Sequence, residues 1–548
     1  MKKSAYPFLA LLAVVISCND APEINPDVRL HISNDDASLS TRVNMVNQRI
    51  NMVNNSQGGT RGEAANNSVD FIAPEFELMA EIESPNINGE VLSATHVAIE
   101  GNYAFVSYHI AEDPYGGGFD VIDLSNPSNI RITSQALYTD SDFNALTVDN
   151  EETLSEGVQR VYLAGANGKG ALVEKIDIQD GMIIANNDSL PLQGFNANGI
   201  VRTKHMLYVT VGGRDGTGGL RAVDMRSGPK FFTINEQENF SDAKDVAVEG
   251  PDINDDMVVL RGGSSAGIYT YEVDANGIES KRRYNIDPID ILDGKNTILI
   301  DGDYVYTALS DQGIKIYDND DLDDGPAFHI TSEQMGGGLS NAVAVDENHV
   351  YVANGLTGLY IGDKPSRNNF EISGVLNLEG SANYVVAKND YILVANGIGG
   401  TKILKRAASE AVLDLEDRDI IYQSFSLRND SEYRGGNYDE NDADDIANPS
   451  KAKKNQIQIP INDLRSLTSV KFEYGSDEDY IYKIYLGNSE GQYDELLLET
   501  SSKKKDGWKE ASIDLDKSGY SHLILSAIPD GRKKGRAYFR NLEIKGIK

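Results

Sequence analysis

Histidine is the side chain best suited to proton transfer at neutral pH, and the chain has seven: His31, His96, His109, His205, His329, His349 and His522. None belongs to a His-Glu-x-x-His pair. His205 and His349 stand in turns between β-rich runs, where solvent exposure is expected. His96 opens a β-rich run and would point into the centre of a ring of sheets, where carboxylates beside it could hold a metal or form an acid–base pair. Two acidic stretches, Asp318–Gly325 and Asn437–Asp445, could coordinate calcium, which needs several hard oxygens; Asp318, Asp320, Asp439 and Asn441 are the ligands they would offer. Leu322 and Ala443 interrupt the alternation of a calcium loop, so solvated loops are the simpler reading and no cofactor is expected. Tyr480, Tyr482 and Trp508 are candidates for a ligand-binding aromatic platform, although aromatic residues pack sheet cores equally well. No constellation reads as catalytic, and a non-enzyme is expected.

The elements that would position these residues form a recurring pattern. Val97–Val106 reads as two β-rich runs joined at Glu100-Gly101-Asn102, the signature of a hairpin. Hairpins anchored at Val97, Leu146, Ile200, Val246, Ile298, Val343 and Val385 make seven units. Each is followed by a third strand, such as Phe119–Leu124 or Leu359–Gly362, and most by a fourth, such as Ile130–Leu137. Four antiparallel strands per unit make a propeller blade. The last unit lacks its fourth strand, and Phe76–Ile82, ahead of the first unit, has the matching pattern. Pairing Phe76–Ile82 with Thr401–Leu404 would close the ring and leave no open edge there.

The run Gly118-Phe119-Asp120-Val121-Ile122-Asp123-Leu124-Ser125-Asn126-Pro127 resembles the repeat of bacterial LVIVD-repeat surface proteins. The likeness covers roughly residues 76–406. It implies a β-propeller on an exported protein and carries over no catalytic residue.

The address is read at the start. Lys2 and Lys3 precede an apolar run, Phe8–Ile16, that is too short to span a bilayer. Val15-Ile16-Ser17-Cys18 resembles the lipobox of bacterial lipoproteins, which implies cleavage after residue 17 and a lipid on Cys18, the single cysteine. Asp20 and Glu23 are similar to export signals of Bacteroidota surface lipoproteins, so the expected place is the outer membrane, facing outward, with a periplasmic face as the alternative. Residues 18–70 read as a flexible tether. Within it Val43, Val46, Ile50 and Val53 recur at helical spacing and predict a marginal amphipathic helix.

The net charge of −35 argues against nucleic acid, whose phosphates demand Lys and Arg, as a partner. From Ala411 onward 21 basic and 26 acidic side chains leave only −5, so most of the excess lies upstream. Composition shifts after Arg406. Residues 407–419 read as a linker and 420–548 as a β-sandwich whose closing strands resemble those of jelly-roll carbohydrate-binding modules. The expected fold is thus all-β, a seven-bladed propeller (residues 71–406) followed by a sandwich. The expected role is an interaction scaffold or subunit of an outer-membrane protein complex serving transport or assembly. Glycan binding through the sandwich, or hydrolase or lyase action at the propeller channel, are the alternatives.

Overall fold

In a computed structural model, residues 24–54 and 76–547 are described, apart from 26, 112–113, 150–157, 214–215, 226–233, 251–255, 275–276, 291–293, 366–368, 407–409, 414, 416–419, 424, 429–431, 436–455, 463, 465, 488–493 and 531–534. The chain divides into two compact units, Met1–Ala407 and Ala408–Lys548.

The first unit is a β-propeller. Seven antiparallel sheets follow one another along the chain, and their innermost strands begin at Ser93, Ser141, Asn196, Ala243, Thr297, Ala342 and Tyr384. Each innermost strand touches that of the next sheet, and the seventh touches the first. The hairpins arise where β-branched and aromatic runs meet a residue that accepts positive φ: Gly101 at +59° in the first sheet and Gly302 at +54° in the fifth. Apolar side chains fill the space between neighbouring sheets. Phe105, Phe119, Val121 and Tyr138 of the first sheet meet Phe143, Leu146, Val161 and Leu163 of the second.

The closure expected from the sequence is present. Phe76–Ile82 lies antiparallel against Thr401–Arg406, with Thr401 opposite Ile82 and Arg406 opposite Phe76. Glu81 and Lys402 form an ion pair across this seam.

The segment ahead of Phe76 departs from the expected tether. Leu30–Ser33 adds a fifth strand to the first sheet, pairing Arg131–Tyr138. Val43–Ile50 adds one to the seventh, pairing Phe76–Ile82. Val53–Asn54 adds one to the sixth, pairing Ile372–Leu376. The expected helix is therefore strand. Its β-branched residues favour extended backbone, and the outer strands of three sheets offer open rows of N–H and C=O groups that an isolated helix cannot use. The segment is one strap across sheets one, seven and six, pinned by buried Leu39 and Met52. Its one short helix, Asp36–Leu39, is capped by the Asp35 carboxylate accepting from the Ala37 N–H.

The second unit has two antiparallel sheets. One contains Phe425–Arg428, Glu432–Gly435, Ala537–Ile547, Ser466–Ser476 and Lys509–Ser518; the other contains Ile421–Gln423, Gln456–Pro460, His522–Pro529, Tyr480–Gly487 and Glu495–Ser502. They share one apolar core around Ile457, Val470, Phe472, Tyr482, Leu525 and Phe539. Glu410–Val412, inside the expected linker, pairs with Ala537–Ile547 and belongs to this unit.

Candidate functional site

The innermost strands of the propeller begin alike. Two residues before the first apolar anchor of each sheet stand Thr95, Asn144, Asn198, Lys244, Asn296, Asn341 and Asn383. In the first four sheets this residue is the extra one of a β-bulge, since pairing shifts between Ala94 and His96, Phe143 and Ala145, Ala197 and Gly199, and Ala243 and Asp245. The bulge frees the side chain to reach the neighbouring sheet. Thr95 Oγ1 donates to the Phe143 carbonyl at 2.8 Å. Asn144 Nδ2 donates to that of Ala197 at 3.1 Å, and Asn198 Nδ2 to that of Ala243 at 2.8 Å. Asn341 Nδ2 donates to that of Ala382 at 3.0 Å, and Asn383 Nδ2 to that of Ala94 at 3.2 Å. These bonds clasp sheet to sheet around the axis. The signal was readable in Phe143-Asn144-Ala145-Leu146, Ala197-Asn198-Gly199-Ile200, Ser340-Asn341-Ala342-Val343 and Ala382-Asn383-Tyr384-Val385, and the hairpin reading passed over it.

Above this ring opens a cavity of about 700 Å³, lined by the same side chains and by Lys295, Asp245, Thr297, His109, Leu339, Leu356 and Thr357. Its size suits a small ligand. At its floor Lys295 crosses the axis. Its Nζ donates to the Thr95 carbonyl at 2.8 Å and the Asn144 carbonyl at 2.6 Å, and lies 4.8 Å from the centre of the Tyr384 ring. One lysine of the fifth sheet thus holds the first two and stacks a charge on the seventh. His96 lies flat against Tyr384 with ring centres 3.8 Å apart, and its Nδ1 is buried with no hydrogen-bond partner. Asp245 accepts from the Ile298 N–H at 3.1 Å. Gly199 makes room for Asp245, because a Cβ there would collide with the carboxylate.

Burial sets the protonation of this group. It lowers the Lys295 ammonium to about 7 against the pull of Asp245. It raises the Asp245 carboxyl to about 6, against the backbone N–H groups and Lys295 that favour its charge. His96 is held well below the ordinary histidine value, and His109 falls to about 4, first by burial and then by the Lys295 charge. Both rings are neutral near pH 7. The floor thus carries one lysine and one carboxylate whose charges are both weakened by burial.

Of the residues singled out by sequence, His96 is buried against Tyr384 and is not among the side chains that line the cavity, where Thr95 stands instead. His349 is not an open turn residue: it is largely buried beside Asp346 and Arg406, whose charges the fold brings together at a blade edge. Asp318 and Asp320 are exposed, and the Asp318 carboxylate accepts from the Asp320 N–H, closing a local turn. Among the described residues no three His, Cys, Asp or Glu side chains converge as a metal site. Tyr480 and Tyr482 are buried in the second unit's core, and their hydroxyls donate to the carbonyls of Gly535 and Gly475. They offer no face to a ligand, because their strand turns that side towards the opposite sheet. Trp508 is 38% exposed, and the Arg540 guanidinium lies 3.9 Å from its ring centre. Cys18, Asp439 and Asn441 lie outside the described residues. Sequence reasoning missed Lys295, Asp245 and Lys244.

No protein-family profile matches the chain, and no curated protein resembles it in sequence. Among solved structures it is similar to the WD40 repeats of RRP9, with 11% identity, a TM-score of 0.41, and coverage of 58% of this chain and 95% of that one. YCF48 bound to D1 peptide gives 11% identity and a TM-score of 0.41, covering 62% and 96%. Virginiamycin B lyase from Staphylococcus aureus gives 12% identity and a TM-score of 0.39, covering 60% and 98%.

Proposed function

We propose that the chain is a lipid-anchored outer-membrane surface protein of the LVIVD-repeat kind, a seven-bladed propeller followed by a jelly-roll-like sandwich, acting without catalysis or cofactor as scaffold or subunit of a membrane protein complex. The observation that carries the reading is an apolar rim. Phe195 immediately precedes an innermost strand, while Leu356 and Ile398 sit in turns after second strands. In antiparallel sheets these ends lie at one edge, the edge that holds the cavity mouth. All three are exposed, at 69%, 79% and 71%. Large apolar side chains gathered at one edge of a polar ring suit a protein partner.

The anchor sets the geometry of such a complex. Ile24 already packs on the propeller core. Five residues separate it from Cys18, six steps of chain with a reach of about 20 Å at full extension. A lipid on Cys18 therefore holds the propeller against the bilayer. Recovery of a stoichiometric partner from detergent-solubilised outer membranes, and its loss in F195S/L356S/I398S, is the expected result. Recovery of the wild-type protein alone would remove the reading.

A second reading, glycan binding by the second unit, retains only Trp508 of its three aromatic candidates. A glycan array with the full chain and its W508A variant tests it, and equal blank arrays would end it.

A further inference from the structure

The cavity mouth has an asymmetry that the clasp does not explain. Among its polar side chains, three on consecutive sheets keep groups with no partner among the described residues. Asn144 and Asn198 use Nδ2 for the clasp, and their Oδ1 atoms accept from no described group. Lys244, at the equivalent place on the fourth sheet, has no hydrogen bond or ion pair from its ammonium. Elsewhere on the ring the oxygens are taken: Asn296 Oδ1 accepts from Ser310, Asn341 Oδ1 from the Lys295 N–H, and Asn383 Oδ1 from Ser381.

Lys244 is seated rather than loose. Its stem lies along Gly262, where a Cβ would come 2.7 Å from Cε and 3.3 Å from Cγ. Burial weakens its hold on the proton, and the nearby Asp242 charge offsets this in part. Across the mouth, Leu339, Leu356 and Thr357 supply an opposite wall that is apolar at two positions out of three.

We propose that the cavity binds a small polyhydroxylated monocarboxylate, such as a sugar acid, with its carboxylate on Lys244 and its hydroxyls donating to Asn198 Oδ1 and Asn144 Oδ1. The acceptors call for hydroxyl donors. The single open cation calls for one negative charge, because Lys295 is already bonded to two carbonyls and faces Asp245. A dianionic phosphate would meet Asp245 and an acidic chain with only Lys244 in compensation. The ring's carbon face packs on Leu356. The site shares Leu356 with the apolar rim, but Lys244, Asn144 and Asn198 lie outside the rim, so K244M tests the cavity without altering the rim and either reading can fail alone.

Isothermal titration of the full chain tests this with D-glucuronate, D-glucose, inorganic phosphate and a glucuronate-terminated oligosaccharide. Glucuronate is expected to bind, with glucose at least about tenfold weaker, as the loss of one charge-assisted contact implies. K244M is expected to lose about tenfold or more towards glucuronate and to leave glucose unchanged, while K244R retains most of the affinity. N198L, checked for an unchanged melt, is expected to weaken both sugars. Binding of the free acid and of the oligosaccharide alike marks an open mouth that takes a chain end; binding of the free acid alone marks a monosaccharide site. Equal glucuronate affinity in wild type and K244M, tighter binding of phosphate than of glucuronate, or no heat with either acid at about 10 mM would overturn the proposal.

Discussion

Arg42 and Asp120 form a two-pronged ion pair, Nη1 to Oδ1 at 3.2 Å and Nη2 to Oδ2 at 2.7 Å. Asp120 is fully buried and accepts also from the Tyr108 hydroxyl and the Gln135 amide. Arg42 belongs to the strap and Asp120 to the third strand of the first sheet, so one pair fastens the N-terminal segment to the ring. Burial opposes the Arg42 charge and Asp120 outweighs it, leaving the guanidinium more firmly protonated than usual. Arg29 repeats the arrangement on the second sheet, meeting the buried carboxylate of Glu174.

Replacing Arg42 with Met strands the Asp120 carboxylate in the interior. The expected cost is about 3–5 kcal/mol of unfolding free energy, measured by urea denaturation. R42M/D120L, which removes both charges, should recover part of the loss. A double variant no more stable than R42M would show that the pair does not couple.

Removing the strap should separate its role from that of the closing strand. A chain starting just before Phe76 keeps the seam with Thr401–Arg406 but exposes the outer edges of three sheets. It is expected to fold, to melt lower and to be cut faster by protease than the longer chain. A chain starting after Ile82 loses the seam and should not reach a cooperative fold.

The sheet-to-sheet clasp predicts a modest effect. Asn383→Ala leaves the Ala94 carbonyl without its side-chain donor. The expected loss is about 1 kcal/mol, and Asn341→Ala, at the next junction, should add to it nearly independently.

Lys295 gives a pH dependence whose sign is fixed. Its folded value near 7 lies below the ordinary lysine value. Between the two the unfolded chain binds more protons, so stability rises with pH across that window, by at most about 1.4 kcal/mol per unit. K295M should flatten the rise of the melting temperature between about pH 7 and 9.5. Asp245 contributes the opposite slope at lower pH: its raised value makes stability fall as pH climbs from the ordinary carboxylate range towards 6, while His96 and His109, both lowered, make it rise there. A K295M profile parallel to wild type would refute the assignment.

Lipidation is checked directly. Cys18→Ala should abolish palmitate labelling and release the protein from the membrane fraction. An unchanged membrane-bound pool would point to another anchor.

Legibility from sequence divides along physical lines. The hairpins and the Phe76–Ile82 closure were readable because period-two alternation and a missing strand are local patterns. The strap was not, because Val43, Val46, Ile50 and Val53 fit a helical stripe, and only the open edges of distant sheets decide for strand. Lys295 was hidden for a related reason. It occupies the place where other sheets carry Ala94, Phe143, Ala197 or Ala382, and only ring closure brings it to Thr95 and Asn144. Tyr480 and Tyr482, two residues apart on one strand, share a face, and only the facing sheet decides that this face is core rather than platform.

The strap also dictates the order in which the molecule can assemble. The strap and the closing strand are made first, yet the partner of Val53–Asn54 at Ile372–Leu376 and that of Phe76–Ile82 at Thr401–Arg406 emerge near the end of the ring. Glu81 must wait for Lys402, 321 residues later. Contacts of such span slow folding and leave early strands exposed meanwhile. A chain delivered N-terminus first thus keeps these strands without their final partners until the last sheet arrives, and only then can the circle lock.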